Sequence, residues 1–302
     1  MKKQLLTIWD VLKETAKEFN NHRILRLSAA LAYYAIFSVP PMLIVLISSL
    51  GIFFGKQAIT GKVFIELKSL LGDQAAFQIQ EVIKNISLSG ETKFATIIGS
   101  LLFVVGATSV FTEIQESLNV IWRVRPKPKK GFLKLLRNRF LSFCIILTIG
   151  GLVIISVFIQ TIVMFFSTKI GILFPKFSIH LFHFFNFGIL LFILTLLFAI
   201  IFKILPDAKV HWKDVGIGAF VTSVLFISGK YLITYYLGHS AWSSAYGAAG
   251  SVIILLIWVY YSSIILFVGA EFTQVYARRF GNKISPAEYA TSIKVIEIEE
   301  DN

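Results

Sequence analysis

The sequence predicts an all-α, polytopic membrane protein: six transmembrane helices, an amphipathic N-terminal helix and a small outer helical cap. Three observations carry this prediction. Hydrophobic residues make up 56% of the 302 residues and charged residues only 15%, well below the quarter or so that is usual in soluble domains. Six apolar runs are long enough, at about 1.5 Å per residue, to cross roughly 30 Å of hydrocarbon. Six crossings return the chain to its starting side, and every arginine (Arg23, Arg26, Arg123, Arg125, Arg137, Arg139, Arg278, Arg279) then falls on the side of the termini. Because basic residues concentrate in cytoplasmic loops, both termini are expected in the cytoplasm. The net charge of +12 is read the same way, as anchoring beside anionic lipid rather than as a nucleic-acid surface.

Residues 1–30 form the first unit. Leu5, Trp9, Leu12, Ala16 and Phe19 recur at spacings of four and three, opposite Asp10, Lys13, Glu14, Lys17 and Glu18. That pattern predicts a cytoplasmic amphipathic helix lying in the membrane interface, as an anchor or as a gate. The six-helix domain covers 31–280. Its first span, 31–54, carries Pro40 and Pro41 near the middle, where two missing donors free two carbonyls and impose a kink. Such a break either lines a cavity or is a packing kink. Residues 55–93 have nearly balanced charges and apolar residues at helical spacing, which predicts the outer helical insertion.

Span two, 94–112, leads into the strongest topological signal. Arg123, Arg125, Lys127, Lys129, Lys130, Arg137 and Arg139 crowd one connection, worth about 1 kcal/mol each beside an anionic leaflet. They are candidate contacts for anionic headgroups, and membrane lipids are the expected partners. Span three, 140–166, holds Cys144, the single cysteine, so no internal disulfide is expected. Span four, 179–202, opens near His180 and His183, which read as interfacial histidines. Span five, 215–237, contains Gly216, Gly218 and Gly229, small residues that let helix backbones approach closely. Lys230 lies within it near the outer edge, and either snorkels outward or meets a buried partner. Span six, 248–271, ends on Glu271. Residues 281–302 read as a cytoplasmic polar tail, expected to be disordered beyond Pro286.

No clustered nucleophile, metal-ligand set or nucleotide loop is legible, so no enzyme activity, catalytic residue, metal or cofactor is expected. Three acids remain as candidates. Glu113 and Glu116 lie on one helical face at the inner end of span two, in the same layer as Glu271. They either form a proton- or cation-binding cluster or are solvated helix ends paired with arginines. Glu271 stands out, because an ionisable group at the edge of an apolar run costs energy unless it is paired, protonated or wet.

The segments LSAALAYYAIFSVPPMLIVLISSLG, ESLNVIWRV, KILPDAKVHWKDVGIGA and YGAAGSVIILLIWVYYSSIILFVGAEF, within about residues 20–280, resemble the YihY/BrkB family of bacterial inner-membrane proteins. One departure is Val39-Pro40-Pro41, where that family usually has Leu-Ala-Pro. The resemblance implies six helices in the bacterial inner membrane and supplies no catalytic residue. The family long carried a tRNA-processing ribonuclease label, now regarded as mistaken. Members have been linked to serum resistance and to export of lipids or lipopolysaccharide precursors. The expected function is therefore translocation or export of a lipid or small amphiphile of unknown identity. A non-transporting scaffold or envelope assembly factor is the alternative, with a membrane-bound nuclease behind both. No nucleic-acid partner is expected.

Overall fold

The computed structural model describes residues 2–38, 93–127, 175–239 and 250–293, with isolated helical positions between 61 and 80. Span three, most of the outer insertion and the Pro40–Pro41 break lie outside the described residues. The elements are α1 (Lys2–Asn21), α2 (Ile24–Ser38), α3 (Lys93–Ile121), β1 (Val124–Pro126), α4 (Pro175–Ile204), β2 (Ala208–Lys209), α5 (Trp212–His239), α6 (Gly250–Arg279), β3 (Ser285–Pro286) and β4 (Ala290–Ser292). Three stretches of these helices are long and apolar enough to cross a membrane: Phe187–Ile204, Trp212–Leu237 and Val252–Arg279.

The helices outrun the apolar runs that announce them. Helix α3 continues to Ile121, beyond Thr112, because Ile114, Leu118 and Ile121 form a buried stripe at spacings of four and three. Both α1 and α3 then stop in the same way. Arg23 and Arg123 adopt left-handed φ values of 52° and 54°, closing each helix through amide bonds from His22 to Glu18 and from Trp122 to Leu118, both 2.9 Å. A non-glycine residue rarely holds that conformation. At Arg123 it directs the guanidinium back toward α1.

Packing is close where α5 and α6 run antiparallel. A Cβ on Gly218 would collide with the Thr273 side chain, and a Cβ on Gly269 would collide with that of Thr222. The contact is reciprocal, since each helix contributes one glycine and, four residues on, one threonine. The threonine hydroxyls donate within their own helices, Thr222 to Gly218 O and Thr273 to Gly269 O, both at 2.7 Å. No polar group is stranded by the close approach. This matters in lipid, where helices gain little from apolar burial and rely on van der Waals fit. An aromatic series reinforces the bundle: Trp122 against Phe202, Phe198 against Phe202 and Phe226, and Phe226 against Trp258, with centroids 5.8–6.3 Å apart. Phe192, Leu232 and Tyr235 are exposed, each by about two-thirds of its surface, as lipid-facing residues are.

One end of the bundle collects the end of α1, the start of α2, the end of α3, the α4–α5 loop and the end of α6. The segment after α6 covers this end. That corrects the expectation of a disordered tail beyond Pro286. Strand β4 pairs antiparallel with β1, matching Val124 with Ser292, Arg125 with Thr291 and Pro126 with Ala290, and β3 pairs with β2. Ala287 N donates to Asp207 O at 3.0 Å and Ile293 N to Arg123 O at 2.8 Å. Residues 287–293 are held because backbone pairing, which side-chain polarity does not reveal, ties the segment to two loops.

On this cap, Lys209 and Glu288 pair at 2.9 Å, both well exposed, and the ammonium holds the Glu288 carboxyl below its usual range. A depressed carboxyl contributes stability that is present above its unfolded pKa and lost as pH falls through the folded one. Because the pair is exposed and screened, Glu288→Gln is expected to leave the melting temperature unchanged at high salt. A melting curve of the purified protein checks this.

Helix α1 docks on the bundle along one face. Val11, Thr15 and Glu18 face the bundle and are buried, whereas Trp9 and Leu12, from the apolar stripe, are exposed. Its acidic face docks on the end of α6: Glu14 bonds Arg278 and Arg279, and Asp10 lies 3.9 Å from Arg279. The acids opposite the apolar stripe, Asp10, Glu14 and Glu18, are thus part of the docking surface, while Lys13 and Lys17 are exposed.

Candidate functional site

The site is built around the acid that the sequence singled out. Glu271, on α6, is fully buried. Its Oε1 meets Nδ1 of His22 from the α1–α2 turn. On the other side of the ring, Arg123 Nε donates to His22 Nε2 at 3.5 Å, while a second nitrogen of the same guanidinium donates to Glu18 Oε2 at 3.0 Å. Glu18 also accepts from Asn21 Nδ2 at 3.4 Å and lies 3.8 Å from Arg278. Three segments distant in sequence therefore converge on one imidazole. Glu271 Oε2 has no hydrogen-bond partner among the described residues.

The chemistry of the donors fixes the protonation pattern. A guanidinium has N–H donors and no acceptor, so His22 Nε2 must present its lone pair to Arg123. That leaves Nδ1 as the ring position that turns a proton toward Glu271 Oε1. Glu271 and Glu18, with Glu14 and Asp10 beyond them, face Arg123, Arg278 and Arg279. Pairing of this kind is what allows ionised groups to remain buried.

A second polar cluster lies beside the first, under the cap. Asp207 is 2% exposed and accepts from Asn119 Nδ2 at 2.9 Å and Gln115 Nε2 at 3.2 Å, while its own amide donates to Asn119 Oδ1 at 2.8 Å. Trp122 Nε1 donates to Ala270 O at 3.2 Å, joining the turn after α3 to α6. Asp214 accepts from Asn282 N at 3.1 Å. A Cβ on Gly281 would overlap the Asp214 carboxylate, so the chain can turn there only without a side chain.

Of the candidates, Glu271 and Arg123 come together. Glu113 accepts instead from Ser117 of its own helix at 3.3 Å, Glu116 is exposed, and neither is a partner of Glu271 among the described residues. Lys230 Nζ lies 5.2 Å from the Tyr231 ring centroid. Arg125 and Lys127 are exposed on the cap. Pro40, Pro41, Lys129, Lys130, Arg137 and Arg139 lie outside the described residues. His22, Glu18, Asn119 and Asp207 were not singled out from sequence. The available signal for His22 was topological, because six spans put it on the same side as the end of span six.

Long apolar helices and a sequestered ionic network under an ordered cap define an integral membrane protein. The chain belongs to the virulence factor BrkB family, whose match covers residues 15–294. It is similar to UPF0761 membrane proteins of Vibrio. The identity is 26% over 268 residues for that of Vibrio campbellii, covering 87% of this chain and 81% of the relative. For those of Vibrio parahaemolyticus and Vibrio vulnificus it is 27%, covering 86% of this chain and 80% of each relative. No solved structure matches.

Proposed function

We propose that this chain is a six-span bacterial inner-membrane protein, with both termini cytoplasmic, that translocates a lipid or small amphiphile. Glu271 carries the reading. It is a fully buried acid at the end of a helix long and apolar enough to cross a membrane, with one carboxylate oxygen unengaged among the described residues, and ionisable groups in such positions mark pathways more often than packing. Two observations support the topology. Arg23, Arg123, Arg125, Arg278 and Arg279 all gather at the capped end, as cytoplasmic loops require. Helix α4, 30 residues long, begins about 45 Å from that end by helical rise, while β1 lies in it, as an intervening crossing requires.

The test is reconstitution. Vesicles of bacterial lipid containing the protein are expected to move labelled lipid between leaflets faster than vesicles with an unrelated membrane protein. Glu271→Gln is expected to slow this by about tenfold, equivalent to about 1.4 kcal/mol of barrier, with insertion unchanged. A wild-type rate equal to the control for every lipid class sinks the reading. The interlocked α5–α6 crossing favours a second reading, a non-transporting scaffold, whose sign would be that null result together with a stable protein partner. Neither reading includes enzyme chemistry or nucleic acid.

A further inference from the structure

We infer that the His22–Glu271 pair is a proton-binding site, and that proton uptake there puts an N–H on His22 Nε2, ejects Arg123 and loosens the docking of α1. The inference goes beyond translocation, and its test requires no substrate.

The geometry leaves few places for an added proton. Nδ1 lies against Glu271 Oε1 and Nε2 against Arg123 Nε, so an Arg123 bond to Nε2 puts the ring proton on Nδ1. A proton added to Oε1 turns that oxygen into a donor toward Nδ1. The ring must then carry its own proton on Nε2, because a neutral imidazole holds one. A proton added directly to Nε2 gives an imidazolium, again with N–H on Nε2. Either route sets an N–H against the N–H of Arg123. A proton on Oε2 would have no acceptor among the described residues, and an unsatisfied buried donor is costly.

The charged surroundings explain why one proton has reach. The groups facing the pair are Glu18 from α1, Arg123 from the turn after α3, and Arg278 of α6 acting through Glu18. Arg23 and Arg26, the other charges at this turn, are exposed. Asp10, Glu14, Glu18 and Glu271 together face Arg123, Arg278 and Arg279, so the added proton acts locally, through the N–H it sets against Arg123 at Nε2. Arg123 is partly exposed, with 39% of its side chain accessible. It therefore has solvent to move into, and water then reaches Nε2 by the path it vacates. As Arg123 withdraws, Glu18 loses its 3.0 Å bond, and α1 keeps only the outer contacts of Glu14 and Asp10 with Arg278 and Arg279. Docked α1 is the unloaded state, and a loosened α1 is the loaded one.

The experiment uses the full chain in lipid nanodiscs with 15N-labelled histidine. His22 is assigned by difference against His22→Gln. In the wild type, the Nε2 resonance is expected to move from the pyridine-type to the pyrrole-type region as pH falls. Spin labels at Lys13→Cys and Lys283→Cys, in a Cys144→Ser background, are expected to show the α1-to-cap distance broadening over the same pH range. Glu271→Gln and Arg123→Gln are each expected to uncouple the two readouts. Three results would overturn the inference: an Nε2 that keeps one form until the protein unfolds, an Nε2 that titrates with no change in the α1 distance, or coupling that persists in both variants. The first two come from protein with a wild-type site, so the inference stays testable if a site variant misfolds. Neither readout involves transport, so a failed translocation assay leaves this test standing, and the reverse also holds.

Discussion

Alanine at Gly218 or Gly269 is expected to destabilise the protein by about 1–3 kcal/mol, the usual cost of forcing extra atoms into a closed contact. The sign is diagnostic. Within a helix, glycine to alanine ordinarily gains up to about 1 kcal/mol because the unfolded chain loses freedom. Gly216, one turn before Phe220 on α5, supplies the control, since a Cβ there meets nothing within 4 Å. Gly216→Ala is thus expected to be neutral or stabilising, and Gly218→Ala, two residues on, destabilising. At Gly269 the obstruction includes Thr222 Cγ2 at 2.7 Å and Cβ at 2.8 Å as well as the hydroxyl, so removing the hydroxyl alone cannot relieve it. Thr222→Gly combined with Gly269→Ala clears all three atoms and is expected to restore part of the loss. Thermal unfolding in mild detergent measures all four variants. Equal melting temperatures for Gly216→Ala and Gly269→Ala would show that the two helices do not close on each other at this point.

The glycines of α5 were readable as places of close approach because small residues in apolar helices have few other uses. Their partners were not, because nothing local marks Thr273 as the residue opposite Gly218. The same boundary runs through the rest of the fold. Long apolar runs announce helices, but α3 extends nine residues past Thr112, on a stripe of Ile114, Leu118 and Ile121 that packs on protein rather than lipid. On α1 the periodicity is legible and its use only in part: Phe19 of the apolar stripe packs on the core, and the polar face adds contacts through Glu14 and Glu18. Glu271 announced itself by being an acid at the edge of an apolar run. His22, Glu18 and Asp207 sit among other polar residues near helix ends, where such residues are unremarkable, and become a site only when three loops converge. The tail reads as disordered because its polarity is high, and its described part, up to Ile293, is tied down by main-chain pairing that polarity does not report.

Removing either member of the Asp207–Asn119 clasp is expected to have the largest effect of any single substitution under the cap, about 3–5 kcal/mol. The reason is the number of buried groups left without partners, each costing about 1–3 kcal/mol. Asp207→Ala strands the amides of both Asn119 and Gln115; Asn119→Ala strands the Asp207 amide and one carboxylate oxygen. Asp207→Asn should fall well below either. Its new NH2 meets a donor on one side, but Gln115 can rotate its amide to present oxygen, so one bond is exchanged rather than lost. That ordering, with alanine at either position far worse than Asp207→Asn, separates a hydrogen-bond clasp from a site that needs negative charge, for which Asp207→Asn would be as damaging as alanine. Asp207 also accepts the Ala287 amide through its carbonyl, so the clasp holds the loop on which β3 docks. The alanine variants are expected to free the cap before the bundle melts. Trypsin should then cleave after Lys283, exposed in the folded cap, many times faster than in the wild type, while α5 and α6 stay protected. Cleavage as slow as in the wild type, with melting unchanged, would mean that the strand pairs alone hold the cap.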